Sequence, residues 1–226
     1  MQSGYCFPNK LEDLVVLERA VEKGCRRKAP YYLGNLYYDK LQWEKAQRLW
    51  EISASEEPEF ATVHRNLALV YYNKRKDGER ARAELERAFD LDSRDVRVFL
   101  ELDQLYKKLG WSFEERLERM ERHPELLEQR DDLYIEYLTI VNLCGGHQKT
   151  LEKILNHRFH PWEGGEGKVT TQYRLALTAL AAEKWNAGAY EEAERLLEQA
   201  LVYPEIWAKA SLREARTTTS GISSAG

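Results

Sequence analysis

Leu33-Gly34-Asn35-Leu36-Tyr37-Tyr38 lies over Leu67-Ala68-Leu69-Val70-Tyr71-Tyr72, and both lie over Leu102-Asp103-Gln104-Leu105-Tyr106-Lys107. The leucines and the first tyrosines recur at steps of 34 and then 35 residues. Further on, Ala46, Trp50, Ser53 and Pro58 are matched by Ala81, Leu85, Ala88 and Ser93, each 35 residues later. A period in this range marks an array of helical hairpins. Each hairpin in such an array buries its apolar face on its neighbours, so no central core is required.

The spacing of Gly34, Tyr37, Ala46, Trp50 and Pro58 resembles that of the tetratricopeptide repeat. The resemblance implies an all-α fold, a right-handed α-α superhelix of about five helix pairs. Gly34 and Ala46 are expected where helix A crosses helix B, since small residues let two backbones approach. Tyr37 and Trp50 are expected to fill the space beside that crossing. Pro58 ends helix B because it lacks an amide hydrogen and clashes with the preceding turn.

The pattern extends along the chain. Residues 1–10 read as a loop broken by Gly4 and Pro8, and 11–216 as the array. Leu11, Leu14, Val15, Leu17 and Val21 recur at helical spacing and form a half-repeat over 11–26. Repeats follow at about 28–59, 61–95, 96–127, 130–157 and 170–204, and the second gains a residue near Lys76-Asp77-Gly78. In the third, Glu115 takes the small-residue position and His123-Pro124 stops helix B early. From Thr150 to Ala193 the spacing stretches to 43 residues, which places an inserted loop at 158–169. The tail 217–226, TTTSGISSAG, is small and polar and is expected to be disordered.

Composition narrows the function. The chain has 226 residues, 43% of them hydrophobic, and a formal net charge of −4. That charge disfavours nucleic acid, whose phosphates call for a clustered positive excess. Cys6, Cys25 and Cys144 are scattered and odd in number, which suggests neither a disulfide framework nor a zinc site. With no signal-like start and no apolar run near the roughly 18 residues of a membrane span, the expected location is the cytoplasm.

Catalytic and cofactor motifs are not found. Around Trp162-Glu163-Gly164-Gly165-Glu166-Gly167-Lys168 a phosphate loop would need a glycine where Trp162 stands and a hydroxyl residue where Val169 stands. His147, His157 and His160 with Cys144 match no zinc spacing, and packing or capping is the expected role of these histidines. Carboxylates fall in helical runs such as Glu191-Glu192, which suit solvated faces and i,i+4 pairs. The expectation is a chain that is not an enzyme and carries no cofactor or metal.

In tetratricopeptide arrays helix A lines the inner face, at positions three before and one, four and five after the small residue. Here these are Tyr31, Asn35, Tyr38 and Asp39, then Arg65, Leu69, Tyr72 and Asn73, then Leu100, Gln104, Lys107 and Lys108. Tyrosines, amides and an arginine are good recognition chemistry, so Tyr31, Asn35, Tyr38, Arg65, Tyr72 and Asn73 are candidate partner-binding residues. Tyr38 and Tyr72 also fit a role as spacers between adjacent A helices. The chaperone-type clamp for a C-terminal carboxylate would need lysine where Tyr31 stands. In the inserted loop Trp162 offers a flat apolar face and Glu163 an acceptor, which suits a sugar or a partner domain.

Ser3–Pro8, Ala29–Asp39, Thr62–Ala68 and Phe159–Val169 together resemble the C-terminal repeat region of large bacterial proteins of uncharacterised function. Those proteins carry an N-terminal domain similar to galactose mutarotases. The resemblance implies a carbohydrate context, not a reaction. It makes Tyr5, Tyr31, Arg65, Trp162 and Glu163 candidates for a surface facing such a domain or its ligand. The first expectation is a scaffold that binds a protein segment or partner domain. The alternative is an accessory region of a carbohydrate-active protein acting through Trp162.

Overall fold

The repeat period becomes helical hairpins. The computed structural model describes residues 8–160 and 165–202. The chain divides between Ser112 and Phe113 into two compact units. Unit 1 holds α1 (Leu11–Glu22), α2 (Lys28–Asp39), α3 (Trp43–Glu56), α4 (Ala61–Val70), a π-helical turn (Tyr71–Arg75), α5 (Gly78–Leu91) and α6 (Val96–Lys108). Unit 2 holds α7 (Phe113–Glu121), α8 (Pro124–Leu127), α9 (Asp131–Leu143), α10 (His147–Asn156), α11 (Gly165–Asn186) and α12 (Tyr190–Ala200). Helices make up both units, and no strand of the ordinary kind is present among the described residues.

One kind of turn recurs at the helix ends. Gly110, Gly145 and Gly188 sit at φ +83°, +83° and +78°, the left-handed region in which a helix C-terminus is commonly capped. In the first hairpin the same place is filled by Leu41 at φ 61°, with a backbone N–H bond from Leu41 to Tyr38 O at 3.0 Å. A β-carbon makes this conformation costly, so here the array holds a leucine against its preference.

The crossing of α2 with α3 explains Gly34. A Cβ there would lie 2.5 Å from Nε1 of Trp50 and 3.2 Å from the Ala46 carbonyl oxygen. Ala46 is fully buried and Trp50 is 2% exposed. At the next crossing Ala68, Ala81 and Leu85 are all buried. The second hairpin's extra residue is absorbed in a π turn at the end of α4. There the Asp77 N–H reaches the Tyr71 carbonyl at 3.0 Å and Lys76 takes φ 58°.

Successive hairpins are joined by a repeated hydrogen bond. Tyr37 of α2 donates to Glu18 of α1. Tyr71 donates to Glu51 of α3 at 2.9 Å, and Tyr106 of α6 to Glu86 of α5 at 2.8 Å. In unit 2 Tyr137 of α9 reaches Glu121 of α7 at 3.4 Å. Burial first, then the neighbouring carboxylate, pushes Tyr37 and Tyr71 up to about 12. A tyrosine whose folded pKa is raised contributes stability that is fully present below pH ~10 and is lost as pH rises through the folded value. Thermal unfolding midpoints should therefore fall between pH 10 and 12, and more steeply than in the Tyr37→Phe, Tyr71→Phe double variant. Parallel profiles for the two proteins would disprove this.

Unit 2 departs from the sequence reading at two points. The small-residue position of the third repeat is held by Arg116, 1% exposed, while Glu115 is exposed. A shift of one residue turns a helical side chain by about 100°, and the inward stripe of α7 is Arg116 with Met120. Nη2 of Arg116 meets Oε1 of Glu136 on α9 at 2.8 Å. The expected loop over 158–169 is shorter than its glycines suggest, because α11 begins at Gly165. Fully buried Val169 anchors that first turn, and the Thr171 hydroxyl donates to Gly167 O at 2.6 Å. Pro124 opens α8, a position where its missing N–H costs nothing.

Candidate functional site

Six of the eight candidate residues lie in unit 1: Tyr31, Asn35 and Tyr38 on α2, Arg65 on α4, and Tyr72 and Asn73 in the π-helical turn that follows α4. Trp162 and Glu163 lie outside the described residues, as do Tyr5 and the tail. Between α2 and α4 the candidates are consumed by packing. Tyr31 is 3% exposed, with its ring edge-on to Tyr32 at 5.1 Å and to Phe60 at 4.8 Å. It belongs to the wall rather than the surface, and burial raises its pKa. The Trp50 N–H donates to Asn35 Oδ1 at 3.0 Å and to the Tyr31 carbonyl at 3.2 Å. Asn66 Nδ2 reaches the same Asn35 oxygen at 3.0 Å. The half-buried Tyr38 ring sits 5.4 Å from the Trp50 ring.

Arg65 is not a bare cation. Its guanidinium grips Glu101 of α6 with two N–H groups, and this hydrogen bonding raises the Arg65 pKa against the opposing effect of burial. Arg97 adds a bond to the same carboxylate at 3.2 Å. Glu101 is thus neutralised from two sides and pins α4 to α6.

Between α4 and α6 the face opens instead. A cleft of about 110 Å³ is floored by Ala68, Leu85 and Leu105 and rimmed by Leu69, Tyr72, Asn73, Gln104 and Lys108, with Glu101 at one end. Lys108 Nζ stands 4.9 Å from the centre of the Tyr72 ring, a cation-π distance. Asn73, Gln104 and Lys108 are exposed, and Lys108 has no carboxylate partner among the described residues. Leu100, by contrast, turns inward at 7% exposed.

The repeat spacing points to Tyr72, Asn73, Gln104 and Lys108. It gives no sign of Glu101, whose part here follows from its grip on Arg65 across the helix boundary. Leu85 occupies the place of Trp50 one repeat on. The cleft is bordered by this smaller side chain.

In unit 2 the histidines pack and cap. Asp131, at the first turn of α9, receives His157 Nε2 at 2.8 Å, His160 Nδ1 at 3.1 Å and the His160 backbone N–H at 2.7 Å. These bonds outweigh burial and lower the Asp131 pKa. Phe159, fully buried, sits edge-on to His157 at 4.5 Å. His147 bonds Asn142, which in turn donates to Gln172 of α11. No group of three or more metal-ligating side chains occurs among the described residues.

No family model matches the chain. Among solved structures it is similar to YrrB, a TPR protein with an unusual peptide-binding site, at 17% identity and TM-score 0.55, over 82% of this chain and 90% of that one. MamA aligns at 16% identity and TM-score 0.48, over 75% of this chain and 92% of that one. A tetratricopeptide repeat protein from Parabacteroides merdae aligns at 15% identity and TM-score 0.48, over 91% and 75%. The likeness to YrrB, together with the hairpins and their crossings, shows that this chain has the fold of a tetratricopeptide-repeat array.

Proposed function

We propose that this chain is a non-catalytic interaction scaffold that holds an extended, acidic protein segment on the A-helix face of its first unit. The observation that carries the reading is the cleft between α4 and α6. Its apolar floor is rimmed by two amides and an ammonium, Asn73, Gln104 and Lys108, that point to solvent. Such groups suit the carbonyls of a peptide backbone and the carboxylate of a neighbouring side chain. Tyr38 and Tyr72 extend the face as half-buried rings. Arg65 positions the wall through Glu101, and Asn35 does so through Trp50. The fold is shared with YrrB, itself described as a peptide-binding-site protein.

A carbohydrate role, or contact with a mutarotase-like domain, rests on Trp162 and Glu163. Both lie outside the described residues, and nothing among the described ones favours it.

The test is a display library of random 12-residue peptides selected on the immobilised chain. Recovered peptides should be net acidic. Lys108→Glu should weaken them about tenfold, the equivalent of about 1.4 kcal/mol, and added salt should shrink that gap. Recovery of no peptide, or no effect of Lys108→Glu, would count against the reading.

A further inference from the structure

At the two A-helix junctions of unit 1 the residues of the helix crossing change as a pair. At the first, Gly34 faces Trp50, and a Cβ on Gly34 would meet the indole at 2.5 Å. At the second, Ala68 faces Leu85. Glycine thus goes with the indole and alanine with the smaller leucine. Because Ala68 carries the very β-carbon that Gly34 lacks, an indole at position 85 has no room in the native array.

The first junction is filled by its own tryptophan, 2% exposed and bonded to Asn35 and to the Tyr31 carbonyl. The second is left with the cleft of about 110 Å³ above Leu85. Leu69 of α4 and Tyr72 of the π-helical turn, both in its lining, sit one repeat after Asn35 and Tyr38, the two residues that flank the indole. The first hairpin therefore shows what kind of group completes the second: one large apolar side chain, entering between the A helices.

We infer that the cleft between α4 and α6 is a specificity pocket that takes one large apolar side chain from the bound segment, at the junction that corresponds to the one an indole fills in the preceding repeat. The inference rests on the proposed peptide-binding role and names the anchor of that same site. Lys108 on the rim, without a carboxylate partner among the described residues, selects an acidic residue beside the anchor. The Asn73 and Gln104 amides meet the segment's backbone. A buried apolar anchor surrounded by polar contacts is the usual arrangement of binding energy in an interface.

The pocket can be filled from within. The double variant Ala68→Gly, Leu85→Trp gives an indole at the second junction the clearance that Gly34 provides at the first and should unfold near the wild-type urea midpoint. Leu85→Trp alone should unfold well below it. Leu69→Trp closes the cleft from its rim and keeps the test valid if the double variant fails to fold. Peptides recovered from the random 12-residue library should share one position held by Leu, Ile, Met, Phe or Trp. Changing that residue to Ala should cost about tenfold or more in affinity. The double variant and Leu69→Trp should each lose the same peptides to a similar degree. If recovered acidic peptides lack a shared apolar position, or bind both filled variants as tightly as wild type, the pocket is disproved while the scaffold reading stands. If the library yields no peptide, both fall.

Discussion

Trp50→Ala is expected to lower the unfolding free energy by about 3–5 kcal/mol, the range for deleting a large buried aromatic. The indole is 2% exposed and fills the α2–α3 crossing against Gly34 and beneath Tyr38. Its N–H also satisfies Asn35 Oδ1 and the Tyr31 carbonyl. Removing it leaves a void and strips a donor from both acceptors at once. The surroundings have little means to collapse, because Gly34 contributes no side chain. Since whole domains are stable by only about 5–15 kcal/mol, much of unit 1 should be lost in mild denaturant. Urea unfolding followed by circular dichroism measures this. Trp50→Phe separates the two contributions, since it keeps most of the volume and removes only the donor. A Trp50→Ala loss under about 1 kcal/mol would mean that the crossing is not packed as described.

The second large effect belongs to unit 2. Arg116→Ala should cost about 2–4 kcal/mol, since it opens a cavity and breaks a buried ion pair. The guanidinium is 1% exposed and meets Glu136 at 2.8 Å, so its aliphatic stem and its charge both serve the α7–α9 contact. Arg116→Met restores the stem without the charge and should recover about half of the loss, because the carboxylate left behind is partly open to water. Equal losses in the two variants would show that the ion pair, not the packing, dominates.

Much of this architecture can be read from the sequence, because a repeat prints its contacts at fixed intervals. Gly34 with Ala46, and Ala68 with Ala81, stand where a helix crossing needs small residues. The third repeat misled because Glu115 and Arg116 are adjacent charged residues. Period alone cannot choose between a 34- and a 35-residue step, and neither residue type is ordinarily buried. Gly165 and Gly167 hid the start of α11, since local preference against helix is overridden there by the burial of Val169. For the candidate site, spacing picks out helix A positions. It could not tell a wall from a surface. Whether Tyr31 is buried or Arg65 is claimed by Glu101 depends on the residue opposite, one repeat away.

The π turn after α4 has a consequence for how such chains change length. An added residue there swells the last turn of helix A, and Ala81, Leu85 and Ala88 still fall on the buried side of α5. Insertions of one residue at this joint are therefore mechanically silent for the stack. The same insertion inside α5 would rotate those three outward together. The extra residue held in this turn accounts for the step of 35 residues from Leu67 to Leu102 beside the step of 34 from Leu33 to Leu67.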